Sequence, residues 1–160
     1  MSIAAVRSYF AQFGMENQVL EFDVSSATVE LAAQAVGVIP ARIAKSLSFK
    51  VDGKAILIIT AGDAKVDNVK FKSFFHTKAK MLTPDEVVEL VGHAIGGVCP
   101  FGIKEGVDVY LDVSLRRFDT VFPAAGSGNS AIQLTCDQLE QYACGFRGWS
   151  DFCKGWQETP

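Results

Sequence analysis

Lys45 stands in Ile43-Ala44-Lys45-Ser46-Leu47-Ser48-Phe49, a run that reads as a buried strand with no structural use for an ammonium group. A lysine in such a strand carries its head out to water along its aliphatic stem, pairs with a carboxylate, or serves a ligand. The second segment with chemical potential is Gly96-Gly97-Val98-Cys99-Pro100-Phe101-Gly102. Three glycines and a proline in seven residues forbid a regular helix or strand and leave backbone N–H groups free to turn toward a ligand. Loops of this composition often do no more than reverse the chain. Together with the lysine, the loop describes a site for a carbonyl or a phosphate. It is not a P-loop, because no Gly-Lys-Ser/Thr follows, and it lacks the Gly-x-Gly-x-x-Gly dinucleotide fingerprint.

Other reactive side chains give weaker signals. Cys99, Cys136, Cys144 and Cys153 are spaced by 37, 8 and 9 residues, which fits neither a zinc knuckle nor a dense disulfide framework, so free thiols are expected. Cys99 lies inside the glycine loop and invites a nucleophile reading. No histidine adjoins it in sequence, so a pocket-wall residue or a neutral thiol are the plainer readings. His76 and His93 fall in different segments without a carboxylate-histidine pattern, and surface or structural roles are expected, with no metal site and no serine-histidine triad. Residues 65–80 carry Lys65, Lys70, Lys72, Lys78 and Lys80 against the single acid Asp67, a local balance of +4 in a chain of net charge −3. With Phe71, Phe74 and Phe75 interleaved, this reads as an amphipathic helix whose solvated face is basic. A functional reading adds contacts from Lys65, Lys70 and Lys72 to an RNA backbone, of modest and salt-sensitive affinity. The acidic molecule as a whole has no general attraction for nucleic acid, and DNA is not an expected partner.

These groups must be held by the rest of the chain. Its 160 residues, 17.3 kDa, 49% hydrophobic and 21% charged, describe one compact soluble domain over 1–160. No apolar stretch approaches the roughly 18 residues of a membrane span, and residues 1–10 lack a leader pattern, so a cytoplasmic protein without a membrane partner is expected. Helical and strand signals alternate, which predicts a mixed α/β (α+β) fold with a largely antiparallel central sheet flanked by helices. Helices are predicted over 6–13, 26–36 (closed by Gly37), 67–75, from the capping box Thr83-Pro84-Asp85-Glu86 onward, and from Thr135 with Gln138 to 142–143, stopped by Gly145. Strands are predicted over 18–22, 79–82, 107–113, 119–123 and 131–134. A hairpin pairs 44–51 with 54–61 through Asp52-Gly53, the dipeptide of type I′ turns. Alternation puts Lys45 on the side of Leu47, Phe49 and Val51, against a merely solvated lysine. The tail 146–160, with Trp149, Phe152 and Trp156, is too aromatic for a disordered end and is expected to pack across the domain or against a partner.

Several motifs in order carry a family resemblance: Ala44-Lys45-Ser46-Leu47 with its hairpin, Ile59-Thr60-Ala61-Gly62-Asp63, the loop 96–102, Val109-Tyr110-Leu111-Asp112, and Ala125-Gly126-Ser127-Gly128-Asn129. Over residues 21–139 the chain resembles the YbaK/ProX family of freestanding editing domains, relatives of the insertion domain of bacterial prolyl-tRNA synthetase. The resemblance implies hydrolysis of the ester joining a wrongly attached amino acid to the terminal adenosine of a tRNA, most often proline tRNA. It implies no metal or dissociable cofactor, with mischarged tRNA and a synthetase as partners. Carried onto this chain, Lys45 is the central catalytic group, holding the substrate carbonyl or the terminal phosphate-ribose. Gly96, Gly97, Val98, Cys99, Pro100, Phe101 and Gly102 form the loop that offers N–H groups to the carbonyl, and Asp63 and Gly126 are further substrate-contacting positions. Some members carry a histidine where this chain has Phe122-Pro123-Ala124-Ala125, which puts an alanine-type specificity in question. Two other classes remain: a module that binds an amino acid, nucleotide or tRNA end without hydrolysis, and an interaction protein working through its aromatic tail.

Overall fold

A computed structural model describes residues 2–156. Helix α1 (Ser2–Ala11) buries Val6 and Phe10, one turn apart, and ends before the predicted Phe13. Strand β1 (Val19–Glu21) follows. Helix α2 (Val29–Val36) starts three residues later than predicted, because the Thr28 hydroxyl takes the Leu31 N–H as its cap and leaves Ser26 and Ala27 outside. Leu31 is exposed, and Ala32 and Ala33 are the buried pair. Gly37 ends the helix at φ 76°, a left-handed conformation that glycine adopts without a Cβ penalty.

The hairpin of β2 (Ile43–Val51) and β3 (Lys54–Ala61) keeps the predicted register, from Val51 opposite Lys54 to Ala44 opposite Ala61. Asp52 and Gly53 both have positive φ, 52° and 77°, as a type I′ turn requires. From Ala55 to Ala61 every residue of β3 is buried, which explains its unbroken apolar run: both faces of this strand are covered. After β4 (Lys65–Val66), helix α3 (Asn68–Phe75) is capped by Asp67, whose carboxylate accepts from Val69 and Lys70. Phe71 of α3 packs on Phe49 with ring centroids 4.9 Å apart. Helix α4 (Pro84–Leu90) carries the full capping box of Thr83 and Glu86.

Strands β5 (Asp108–Asp112), β6 (Thr120–Pro123), β7 (Ser130–Ile132) and β8 (Leu134–Thr135) lead to α5 (Cys136–Tyr142), then β9 (Phe146–Ser150) and β10 (Cys153–Lys154). The central sheet runs β8-β6-β2-β3-β5-β9, with ribbons β1-β7 and β4-β10 beside it. The sheet is mixed, as predicted, but only β2/β3 and β6/β8 are antiparallel; β2/β6, β3/β5 and β5/β9 are parallel. Periodicity within a strand reports which face is buried and not which way its partner runs, so the hairpin signal overstated the antiparallel share. Two strand predictions also change. Residues 79–82 make no strand, only an isolated bridge from Met81 to Phe49, and the predicted 131–134 strand divides between β7 and β8. The aromatic tail packs across the domain: β9 is one of the sheet's two outer strands and Phe152 is fully buried beside Phe74, Phe75 and Tyr110. Residues 157–160 of that predicted tail lie outside the described residues. Among those described, no helix is long and apolar enough to cross a membrane.

Candidate functional site

The site grows from a gap along one edge of β2. A two-residue hairpin makes the odd residues of β2 exchange hydrogen bonds with β3, so the even residues turn their N–H and C=O outward. On that outer edge β6 pairs only as far as Ala44, opposite Pro123. The 80–82 segment takes over at the other end, where Leu82 N–H donates to Ser48 O at 3.2 Å and Lys50 N–H to Lys80 O at 2.8 Å. Between these two partners the backbone of Ser46 faces an open edge.

A cleft of about 250 Å³ opens at this gap. Its floor is the 44–48 stretch of β2, including Lys45 and Ser46, and its walls come from residues 26–29 and Ala32, from Gly96 and Val98, and from Ala124, Ser130 and Ala131. Met81 and Ile95 border it as exposed apolar side chains. The volume falls just below the range of typical ligand pockets, which starts at about 300 Å³. A larger groove of about 580 Å³ crosses the surface along α3 between Asn68, Lys72 and Lys78, but holds none of the groups that point to bond chemistry.

Lys45 is half-buried and its ammonium, among the described residues, makes no hydrogen bond or ion pair. Burial pushes its pKa below the ordinary lysine value, the second cation Lys65 adds to the lowering, and Asp63 and Glu30 pull the other way. Asp63 has little charge to spare, because Arg117 grips both its oxygens at 2.6 and 3.0 Å. The Cys153 thiol also lies near Lys45, but burial drives its own pKa up and keeps it neutral. An incompletely compensated ammonium at the floor of a cleft is a group arranged to meet an acceptor that comes from outside.

The predicted loop divides sharply. Gly96 and Val98 line the cleft. Gly97 does not offer its N–H, which donates to Ala94 O at 3.0 Å, while its own carbonyl accepts from Gly126 at 3.1 Å. A Cβ at Gly97 would stand 2.5 Å from Ser127 N and 2.6 Å from Gly126 C, so glycine here is what lets the 96–98 and 126–128 segments touch. Ser26 N–H donates to Gly128 O at 2.7 Å and joins the third wall to the same contact. Cys99, Pro100, Phe101 and Gly102 lie beneath the cleft wall. Pro100 O accepts from Cys144 N–H at 2.8 Å, Phe101 packs on Phe10 at 4.8 Å, and Gly102 turns at φ 60° against α1.

Cys99 is fully buried, and burial pushes its thiol up to about 12. The histidine that sequence did not place beside it is His93, whose Nε2 is 3.5 Å from Cys99 Sγ and 2.7 Å from the Phe101 carbonyl. A carbonyl only accepts, so Nε2 carries the proton and cannot draw one from the thiol. The pair is a buried support for the loop.

Of the basic positions, Lys65 and Lys72 are exposed, whereas Lys70 is tied to Asp151 at 3.0 Å and to Cys153 O at 2.7 Å. Sequence reasoning missed Ser26, Ser46, Met81 and Ile95 as cleft residues. Only the polar pair Lys45-Ser46 inside an apolar strand hinted at one of them.

The geometry can be set beside known proteins. A family model described as an aminoacyl-tRNA editing domain matches residues 23–142. The uncharacterized protein YwhH of Bacillus subtilis (strain 168) is 56% identical over 158 residues, covering 98% of this chain and 100% of its own. A proline-tRNA ligase of Geobacillus sp. (strain WCH70) is 31% identical over 90 residues, 56% of this chain but only 16% of the ligase. A crystal structure described as a candidate trans-editing enzyme for prolyl tRNA synthetase superposes with a TM-score of 0.86 at 32% identity, covering 96% of this chain and 98% of that one.

Proposed function

The chain belongs to the aminoacyl-tRNA editing domain family, and from this premise we propose that it hydrolyses, in trans, the ester linking a wrongly attached small amino acid to the terminal adenosine of a tRNA, with proline tRNA the first candidate. The observation that carries the reading is Lys45, a half-buried cation without a partner among the described residues, beside an open strand edge in a small cleft. An aminoacyl ester is already activated, so its cleavage asks for positioning and for stabilisation of the negative charge that grows on the carbonyl oxygen. Lys45 supplies a charge, and the outward N–H of Ser46 supplies a hydrogen-bond donor on the same floor. Water, or the neighbouring ribose hydroxyl assisting it, adds to the carbonyl carbon; the bond to the ribose oxygen then breaks and that oxygen takes up the proton. Domain 1–160 is proposed to act as one unit in the cytoplasm, with mischarged tRNA as substrate and a prolyl-tRNA synthetase as the delivering partner.

A second reading has its own support: the cleft lining contains no carboxylate and no histidine to serve as a general base, which suits a module that binds the aminoacyl end without cleaving it. Hydrolysis of alanyl, cysteinyl, seryl, threonyl and 2-aminobutyryl proline tRNA by wild type and Lys45→Ala separates the two. Turnover that falls by about 10²- to 10³-fold in the variant is expected. Absence of turnover on every substrate, with the wild-type protein folded, would overturn the deacylase and leave the binding module.

A further inference from the structure

Five buried side-chain polar atoms lack a hydrogen-bond partner among the described residues: Glu16 Oε2, Ser26 Oγ, Ser46 Oγ, His93 Nδ1 and Trp156 Nε1. Ser26 and Ser46 both line the cleft that holds Lys45. Buried polar atoms are paired in the great majority of cases, so two unpaired hydroxyls in one small cleft call for an explanation. Two other hydroxyls of the lining, those of Ser130 and Thr28, are already engaged. Ser130 Oγ is 2.8 Å from Ser127 Oγ, and Thr28 Oγ1 caps α2.

Resting on the deacylase reading above, we infer that the hydroxyls of Ser26 and Ser46 read the side chain of the attached amino acid and select a small residue that itself carries a hydroxyl. A hydroxyl both donates and accepts, and so does each of these serines, so a hydroxyl satisfies both sides of the contact. An α-ammonium only donates, and the outward carbonyl of Ser46 on the open edge of β2 is an acceptor suited to it. The remaining surroundings are largely apolar, with Val29, Leu47, Val98 and Phe122 among the side chains lining the same cleft, and its volume of about 250 Å³ limits the size of the side chain that enters. Sites built around such hydroxyls discriminate strongly, because the analogue lacking the polar group leaves them unpaired.

The test uses matched pairs on one tRNA, threonyl against valyl and seryl against alanyl, with wild type, Ser26→Ala, Ser46→Ala and the double variant. A parallel arm measures binding of non-hydrolysable 3′-amide analogues of seryl- and alanyl-adenosine by calorimetry. Wild type should prefer the hydroxyl-bearing member of each pair by about tenfold or more. Each serine substitution should lower the rate on that member by about 10- to 100-fold more than on its apolar counterpart, so that the preference between them narrows. An equal fall on both members, or no fall on either, overturns the inference. Preference for the seryl analogue in the binding arm without any turnover upholds the subsite and overturns only hydrolysis. Binding of neither analogue, or of both equally, overturns it.

Discussion

Lys45 shows how a single residue can oppose the fold that holds it. Its pKa is lowered chiefly by burial, so the charged form is less comfortable in the folded protein than in the unfolded chain. The sign follows from linkage: below the folded-state pKa both states carry the proton and the cost is complete, and between the folded and unfolded values the folded protein loses the proton and the cost fades. Lys45→Met is therefore expected to raise the melting temperature at neutral pH and to abolish turnover. The gain over wild type should shrink as pH climbs into the alkaline range. Thermal unfolding of both proteins across pH checks it, and a Lys45→Met protein less stable than wild type at neutral pH would show that Lys45 has a partner in the fold. Sequence disclosed this lysine because an ammonium in an apolar strand is conspicuous by type. Ser26 and Ser46 stayed hidden, because a serine is unremarkable until its hydroxyl is seen to be buried and unpaired.

At the scale of elements, local rules carried far where the signal is itself local. Both capping boxes, the Asp52-Gly53 turn and the Gly37 stop are each decided by fewer than about six neighbouring residues, and each stands as read. What the chain did not disclose depends on distant partners: the parallel pairing of β5 with β9, the gap between β6 and Leu82, and the fate of the tail. The tail is held from within. Asp112, fully buried at the end of β5, accepts from Phe152 N–H at 2.7 Å and from Ser114 N–H at 3.0 Å. Phe152 fills the space between α3 and β5, with Phe75 stacked on it at 5.8 Å. Replacing it with alanine removes a fully buried aromatic ring, and a loss of about 3–5 kcal/mol is expected. Urea unfolding should show it as a lower midpoint at unchanged slope. A loss below about 1 kcal/mol would return the tail to the role of an external working surface.

For the whole molecule the question is how an acidic protein holds a polyanion. With a net charge of −3 and a sequence pI near 5.3, the overall field repels RNA, so attraction must come from a local surface. The 65–80 stretch provides one, but its lysines are not equivalent. Lys70 is occupied by Asp151 and the Cys153 carbonyl, and its loss would loosen the tail more than it would weaken RNA binding. Lys72 and Lys78 are exposed and border the groove along α3, where a phosphate backbone can lie without displacing any contact. Each phosphate neutralised on duplex RNA contributes about −0.9 to the slope of log affinity against log salt, by analogy with DNA. The double substitution Lys72→Ala/Lys78→Ala is thus expected to weaken tRNA binding at low salt and to flatten that slope by about 2. Its rate on a short aminoacyl-adenosine ester, which cannot reach the groove, should match wild type, because neither lysine lines the Lys45 cleft. Affinity titrations at several salt concentrations decide it: an unchanged slope would move the RNA path off α3, and a fall in the short-substrate rate would mean that these lysines shape the cleft itself.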